Sequence, residues 1–240
     1  MRKLSVVIVF VLSALSSFSQ SEKEIKKKEL LSRSGDHFMF QFSSDHWLGM
    51  PDSIKSHQKG FSRGVNVYVM YDKKFRANPR FSIAGGIGVS TSNIFFKKMN
   101  VDIGSNGKVL PFIATDTSNN YKKYKLTTAF LEVPIEFRFS SNPSTPNKSV
   151  KVALGMKFGT MLSAHTKAKT LRTVYGSTIT NSTEKVTDKT YFNNTRIAAT
   201  ARLGYGNFTL FGAYNLASIF KDAVAEDIKL LQVGITISGL

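Results

Sequence analysis

The residues that could do chemistry are few and scattered. Of the four histidines, His37, His46, His57 and His165, none stands in an HExxH or His-x-His arrangement. The spacing that places two imidazoles on one metal ion is therefore missing. The chain has no GxSxG turn, no GxxxxGK[ST] loop and no GxGxxG after a strand. It has no cysteine, so thiolate metal centres and disulfides are excluded. Glu132 and Glu136 stand close in sequence, but in an extended chain their backbones lie about 13 Å apart. That is too far for an acid–base dyad unless the side chains converge. Ser163-Ala164-His165 puts a nucleophile type and a base type on one face of a strand, with no carboxylate spacing to complete a relay. The expectation is a protein that is not an enzyme, with no catalytic, metal or cofactor-binding residues and no cofactor.

The elements that must carry these residues alternate with period two, the pattern of strands with two unlike faces. The segments are 37–45, 62–71, 80–90, 123–140, 149–163, 195–205, 207–216 and 228–237. In the second, Val65, Val67, Val69 and Tyr71 oppose Asn66, Tyr68 and Met70. In the fourth, Val133, Ile135 and Phe137 oppose Glu132, Pro134, Glu136 and Arg138. In the sixth, Ile197, Ala199, Ala201 and Leu203 oppose Arg196, Ala198, Thr200 and Arg202. Eight strands suit a closed antiparallel barrel, and most are long enough for a tilted strand to cross a bilayer. The connections sort by length. Short ones follow the second, fourth and sixth strands (72–79, 141–148, 206–207). Long ones follow the first, third, fifth and seventh (46–61, 96–122, 164–194, 217–227). The predicted fold class is all-β: an eight-stranded antiparallel up-and-down transmembrane β-barrel with long outer loops and short periplasmic turns. A soluble sandwich or lipocalin-like barrel also alternates. Charged or very small residues on the polar face, and the strict sorting of loops, favour the membrane form.

Residues 1–19 read as a signal peptide: basic Met1-Arg2-Lys3, an apolar stretch from Leu4 to Leu15, then small residues. The apolar stretch is too short for a spanning helix, which needs roughly 20 residues. Residues 20–36 are mixed-charge and form the expected periplasmic N-terminal tail, with the barrel domain over 37–240. The net charge of +17 would fit nucleic acid, but an exported chain does not meet it. Basic residues near the outer rim instead suit outer-membrane lipid and the phosphates of lipopolysaccharide. Phe95, Phe96, Tyr121, Tyr124, Tyr191 and Phe192, near the outer strand ends, are the candidates for an aromatic girdle.

If Val133, Ile135 and Phe137 face lipid, the opposite parity faces the lumen. An eight-stranded barrel is just wide enough to be filled by side chains. The expected content is a structural charge network of Glu132, Glu136, Arg138, Lys157 and Arg202, with Arg196 and Gln232 also inside. Charges in so narrow a space must be paired and hydrogen-bonded. Pro134 removes a ladder hydrogen bond and predicts a bulge or bend. Gly85, Gly86 and Gly88 are read as packing devices.

The segment Phe130-Leu131-Glu132-Val133-Pro134-Ile135-Glu136-Phe137-Arg138-Phe139 resembles the "LE(V/I)P(L/I)-x-(L/F)" strand of the PorT-like outer-membrane β-barrel proteins of Bacteroidota. Ser62-Arg63-Gly64-Val65-Asn66-Val67-Tyr68, Asn78-Pro79-Arg80-Phe81-Ser82 and Leu154-Gly155-Met156-Lys157 are similar too. The resemblance covers most of 36–240 and implies an integral protein of the cell outer membrane. The family's name-giving member serves a type IX protein secretion system. The resemblance therefore implies a structural or accessory role, with other envelope proteins of a secretion assembly as partners. A small channel or a ligand- or lipid-binding barrel is the alternative.

Overall fold

The computed structural model describes residues 38–59 and 61–239. The segments read as signal peptide and N-terminal tail lie outside the described residues. Eleven strands follow in order: β1 (Phe38–Leu48), β2 (Ser62–Lys74), β3 (Phe81–Phe96), β4 (Met99–Val101), β5 (Phe112–Ala114), β6 (Asn120–Ser140), β7 (Val150–Arg172), β8 (Thr178–Thr187), β9 (Thr195–Tyr205), β10 (Phe208–Asn215) and β11 (Lys229–Ser238). Eight of them close a barrel in the order β1-β2-β3-β6-β7-β9-β10-β11, and β11 returns to β1. Every pairing is antiparallel. No described helix is long and apolar enough to cross a membrane, which says nothing of a barrel.

Which side is inside follows from burial. Along β6, Val133, Ile135 and Phe137 are 43–49% exposed, whereas Glu132 and Glu136 are at 0% and 1%. The apolar face thus points outward on β2, β9 and β11 as well, with Val65, Val67, Val69, Leu203, Val233 and Ile235 exposed. A soluble barrel buries that face. This one presents it as a belt and keeps its polar face within, the inverse arrangement required by a hydrocarbon surround.

β6 and β7 have 21 and 23 residues, about twice the 9–11 that cross a bilayer. Their upper halves rise past the belt and pair with each other and with β8, forming a three-stranded extension. The segment 164–194 is therefore a hairpin sheet and not an irregular loop. The loop after β3 carries the small β4–β5 hairpin, and the first long loop carries a helical turn at Asp52–Lys55. Inside this end lies an apolar core. Trp47 meets Phe96 and Phe220 edge to face at 5.7 and 5.6 Å, and Phe220 meets Phe192 at 5.2 Å. Met99, Val101, Ile103, Leu110, Tyr124 and Tyr191 join it from the loops and strand ends.

This core corrects the expected girdle. Phe96, Tyr124, Tyr191 and Phe192 are buried inside the cap, not turned to lipid. Tyr124 shares its parity with Glu132, so the strand carries it inward above the belt. Phe95, one residue from Phe96, does face outward. Pro134 makes no bulge. The ladder to β3 skips from Gly85–Ile135 to Gly88–Glu132 without slipping, while Pro134 still pairs Lys157 on the other side. A missing N–H is accommodated by a gap in one ladder. The bulge lies higher, between Ala129 and Phe130 opposite β7. Gly86 and Gly88 pack against Met70 and Tyr68, but nothing lies within 4 Å of where a Cβ on Gly85 would be, so Gly85 is not a packing device.

Candidate functional site

The lumen is built row by row. Across five neighbouring strands, Tyr68, Gly88, Glu132, Gly159 and Arg196 stand directly opposite one another in turn. Glycine alternates with a long side chain. The Tyr68 ring lies over Gly88, where an added Cβ would run into the ring and the Val67 carbonyl. Tyr68 Oη thereby reaches Glu132 Oε2 at 2.6 Å. On the other side Arg196 crosses the Gly159 position and meets Glu132 Oε1 at 2.9 Å. Arg196 also donates to Asn215 Oδ1 at 2.8 Å, Gln232 Oε1 at 3.0 Å and Ser90 Oγ at 3.2 Å. Its guanidinium lies 5.3 Å from the centre of the Phe130 ring.

Nearer the short-turn end, Glu136 accepts two bonds from Arg202, at 3.1 and 2.5 Å, and one from Arg138 at 2.8 Å. Arg138 extends to Asp72 at 3.8 Å. Lys157 lies between the two carboxylate centres. It donates to Gln41 Oε1 at 2.9 Å and sits over Tyr68 and Phe211 at 4.9 and 5.6 Å. Gln41 donates to Thr236 and accepts from Asn66, whose own amide oxygen accepts from Ser90. Gln232 links Arg196 to Asp45 at 3.1 Å. Buried cations and carboxylates are thus interleaved along the lumen, each held by ion pairs or hydrogen bonds, as a low-dielectric interior demands.

The structure divides the five residues read from the sequence. Glu136, Arg138 and Arg202 form one cluster. Glu132 belongs to a second, whose cation is Arg196. Lys157 pairs with neither carboxylate at ion-pair distance among the described residues and is held by an amide oxygen and two aromatic faces. Tyr68 and Gln41 went unread as site residues. Parity placed Tyr68 inward, but only the shear of the barrel says which residues meet across the lumen. The small cavity above this network, about 10 Å3 between Trp47, Ser92, Thr128 and Leu230, has room for about one water.

A second polar cluster joins the long loops. His57 Nε2 lies 2.8 Å from Asp116 Oδ2, and its Nδ1 lies 2.8 Å from the Ser53 carbonyl oxygen. Both neighbours are acceptors, so these contacts favour the protonated ring. The bond to Asp116, then that to Ser53, holds His57 above the ordinary histidine value, and Asp116 is pulled below the usual carboxylate range by the same bond. Ser56 Oγ is 3.1 Å from Nδ1, which gives the residue types of a serine relay. In its protonated form the imidazole has no lone pair to act as base, and with Asp116 it makes an ion-paired latch between loops. Asp116 is 59 residues away, which hid the pair from sequence spacing. Ser163 and His165 share an outward face without a hydrogen bond between them. Among the described residues no group of three or more His, Asp or Glu could hold a metal ion.

A closed antiparallel barrel with an apolar outer belt and a polar, side-chain-filled interior defines the class of small membrane β-barrels. The chain belongs to the family described as outer membrane protein beta-barrel domain, whose model matches residues 18–221. It is an outer-membrane β-barrel protein. Among solved structures it is similar to Ail, the attachment invasion locus protein of Yersinia pestis, at 13% identity and a TM-score of 0.36, over 84% of this chain and 95% of that one. The same protein in complex with the heparin analogue sucrose octasulfate gives 12% and 0.33 over the same shares. The translocator domain of the autotransporter NalP from Neisseria meningitidis gives 8% and 0.19, over 94% and 96%. No curated protein matches the chain.

Proposed function

We propose that this protein is a non-enzymatic structural barrel of the outer membrane that conducts nothing through its lumen and acts through partners held at its ends. The observation that carries the reading is the continuous filling of the interior. The Glu136–Arg202–Arg138 cluster, the Lys157 layer, the Glu132–Arg196 centre and the aromatic cap follow one another from the short turns to the long loops. Glu132 is neutralised in place by Arg196, and Glu136 by Arg202 and Arg138, so an ion entering the lumen would have to displace a buried pair. The long loops, ordered by their own core, form a rigid outer face and not a lid over a channel. Export through the N-terminal signal and a periplasmic tail belong to the same reading.

The resemblance of the β6 motif to the PorT-like proteins of Bacteroidota extends it to an accessory subunit of a type IX protein secretion assembly. Two measurements test the proposal. In planar bilayers the purified protein passes no unitary current; discrete conductance steps would replace the closed-lumen reading with the channel alternative. Extraction of outer membranes in mild detergent gives a particle larger than the monomer that contains other envelope proteins. A lone monomer would remove the accessory-subunit part.

A further inference from the structure

Above the belt, the outward face of the β6–β7–β8 extension gathers lysines directly opposite one another. Lys125 pairs Lys167, Lys167 pairs Lys185, and one row higher Lys123 pairs Lys169. Like charges directly opposite on a sheet destabilise it. No described carboxylate pairs with any of these lysines at ion-pair distance. Glu184, the nearest in sequence, pairs Ala168 and so lies on the opposite face, where it accepts from Tyr121 Oη at 2.7 Å. The row continues onto the neighbouring strands. Lys125 Nζ lies 2.6 Å from Asn93 Oδ1 and 6.0 Å from the Phe95 ring centre. Arg63 lies 5.3 Å over the same ring and 5.7 Å over the exposed Phe61.

Height selects the counter-charge. On β6 the outward residues from Phe139 up to Ala129 span about 25 Å along the barrel axis at the usual rise and tilt, the height of an apolar belt. Thr127 and Lys125 follow at about 5 and 10 Å above it by the same rise, and a lysine side chain reaches several ångströms back toward the interface. The ammonium groups therefore fall in the headgroup layer of the outer leaflet. Phe61 and Phe95 stand where interfacial aromatics belong.

We propose that Arg63, Lys125, Lys167 and Lys185 form a binding site for the phosphate groups of the outer-leaflet glycolipid, with Phe61 and Phe95 against its apolar and sugar portions. Bound phosphates relieve the repulsion built into the cross-strand rows and lock the extension onto the membrane surface. The inference rests on the membrane placement in the proposed function and names the lipid partner there.

The test uses the full chain in uncharged detergent, titrated with bisphosphorylated lipid A and followed by thermal unfolding and by direct binding. The control ligands are the dephosphorylated lipid and inorganic phosphate. Lipid A raises the unfolding midpoint of the wild type. The variant Lys125→Gln/Lys167→Gln/Lys185→Gln binds lipid A at least roughly tenfold more weakly, since several charge-assisted contacts are lost. Without lipid the same variant is at least as stable as the wild type, because the repulsion along the Lys125–Lys167–Lys185 row is gone. Lys73→Gln/Lys74→Gln, at the short-turn end, keeps wild-type affinity. Equal binding by the triple variant, equal stabilisation by dephosphorylated lipid, or the full effect from inorganic phosphate alone would each overturn the proposal. So would a triple variant less stable than wild type without lipid. A silent lumen with no lipid A effect sinks this site alone, whereas a conducting lumen with the effect intact sinks the closed-lumen reading alone.

Discussion

Replacing Arg196 with methionine removes a cation whose guanidinium is 2% exposed and whose nitrogens reach Glu132, Asn215, Gln232 and Ser90 within 3.2 Å. Methionine fills much of the volume, so the loss is electrostatic. The Glu132 carboxylate, at 0% exposure, is then left with the Tyr68 hydroxyl as its remaining close partner. Breaking one side of a buried ion pair costs about 3–5 kcal/mol, a large share of the roughly 5–15 kcal/mol that holds a typical domain. Urea unfolding of the protein in detergent, followed by far-UV circular dichroism and by the fluorescence of Trp47, measures it. The companion variant Arg196→Met/Glu132→Gln removes both charges and keeps an acceptor for Tyr68. It recovers about 2–3 kcal/mol of the loss, the coupling expected of residues in one network. A single variant within about 1 kcal/mol of wild type would refute the reasoning, as would a double variant that loses the sum of both singles. Either would mean that the Glu132 carboxylate does not depend on Arg196.

Three further outcomes follow from other parts of the molecule. Ile135→Arg, on the outward belt, destabilises the barrel by about 2–4 kcal/mol in lipid, whereas Tyr175→Arg at the exposed tip of the β7–β8 hairpin changes unfolding by less than about 0.5 kcal/mol; equal effects would contradict the membrane placement. Gly88→Ala pushes a methyl group into the Tyr68 ring and the Val67 carbonyl and lowers stability by about 1–3 kcal/mol, read by the same urea curves. The His57–Asp116 latch depends on pH at both ends. His57 is raised, so its stabilisation is full below the ordinary histidine range and is lost as pH rises through its folded value. Asp116 is lowered, so its share is present above the ordinary carboxylate range and is lost as pH falls through its folded value. The loops are therefore tied most firmly between those limits, and limited proteolysis of 49–61 speeds up on the alkaline side. Asp116→Asn removes that dependence and brings the His57 titration, followed by NMR, back toward about 6.5; an unchanged His57 titration in this variant would refute the latch.

Much of the barrel was legible because each strand has two environments that differ as sharply as water and hydrocarbon. Val133, Ile135 and Phe137 against Glu132 and Glu136 state both the strand and its inner face, and the lengths of the connections state the topology. The partners inside were less legible. That Glu132 meets Arg196 and not Lys157 depends on the register of two ladders, β6–β7 and β7–β9, and no local pattern encodes shear. Four of the six residues expected in the aromatic girdle turn inward for a related reason. Phe96 and Tyr124 stand on strands that run past the belt, where an aromatic can turn into a cap instead of outward to lipid. Polar, turn-rich stretches such as 97–119 conceal that cap, since its apolar residues, Met99, Val101, Ile103 and Leu110, are spaced among glycines and lysines. The β8 strand is similarly veiled. Its residues are mostly Thr, Asn and Ser and nearly all exposed, so no buried face imprints an alternation.

The seam of the barrel sets the order of events in time. β1 closes against β11, and Met39 lies opposite Ser238. Each hairpin on the short-turn side can form as soon as its two strands exist, but this last ladder waits for almost the entire chain. Under the logarithmic law of loop closure, joining residues so distant costs about 2–3 kcal/mol more than closing a ten-residue hairpin. Until it forms, β1 and β11 each expose an edge of unpaired backbone, which costs several kcal/mol per group in hydrocarbon. Entry into the bilayer one strand at a time is thereby closed off. The meeting of the first strand with the last is therefore the most costly closure in the barrel, and the two edges it joins are the ones left open until the barrel is complete.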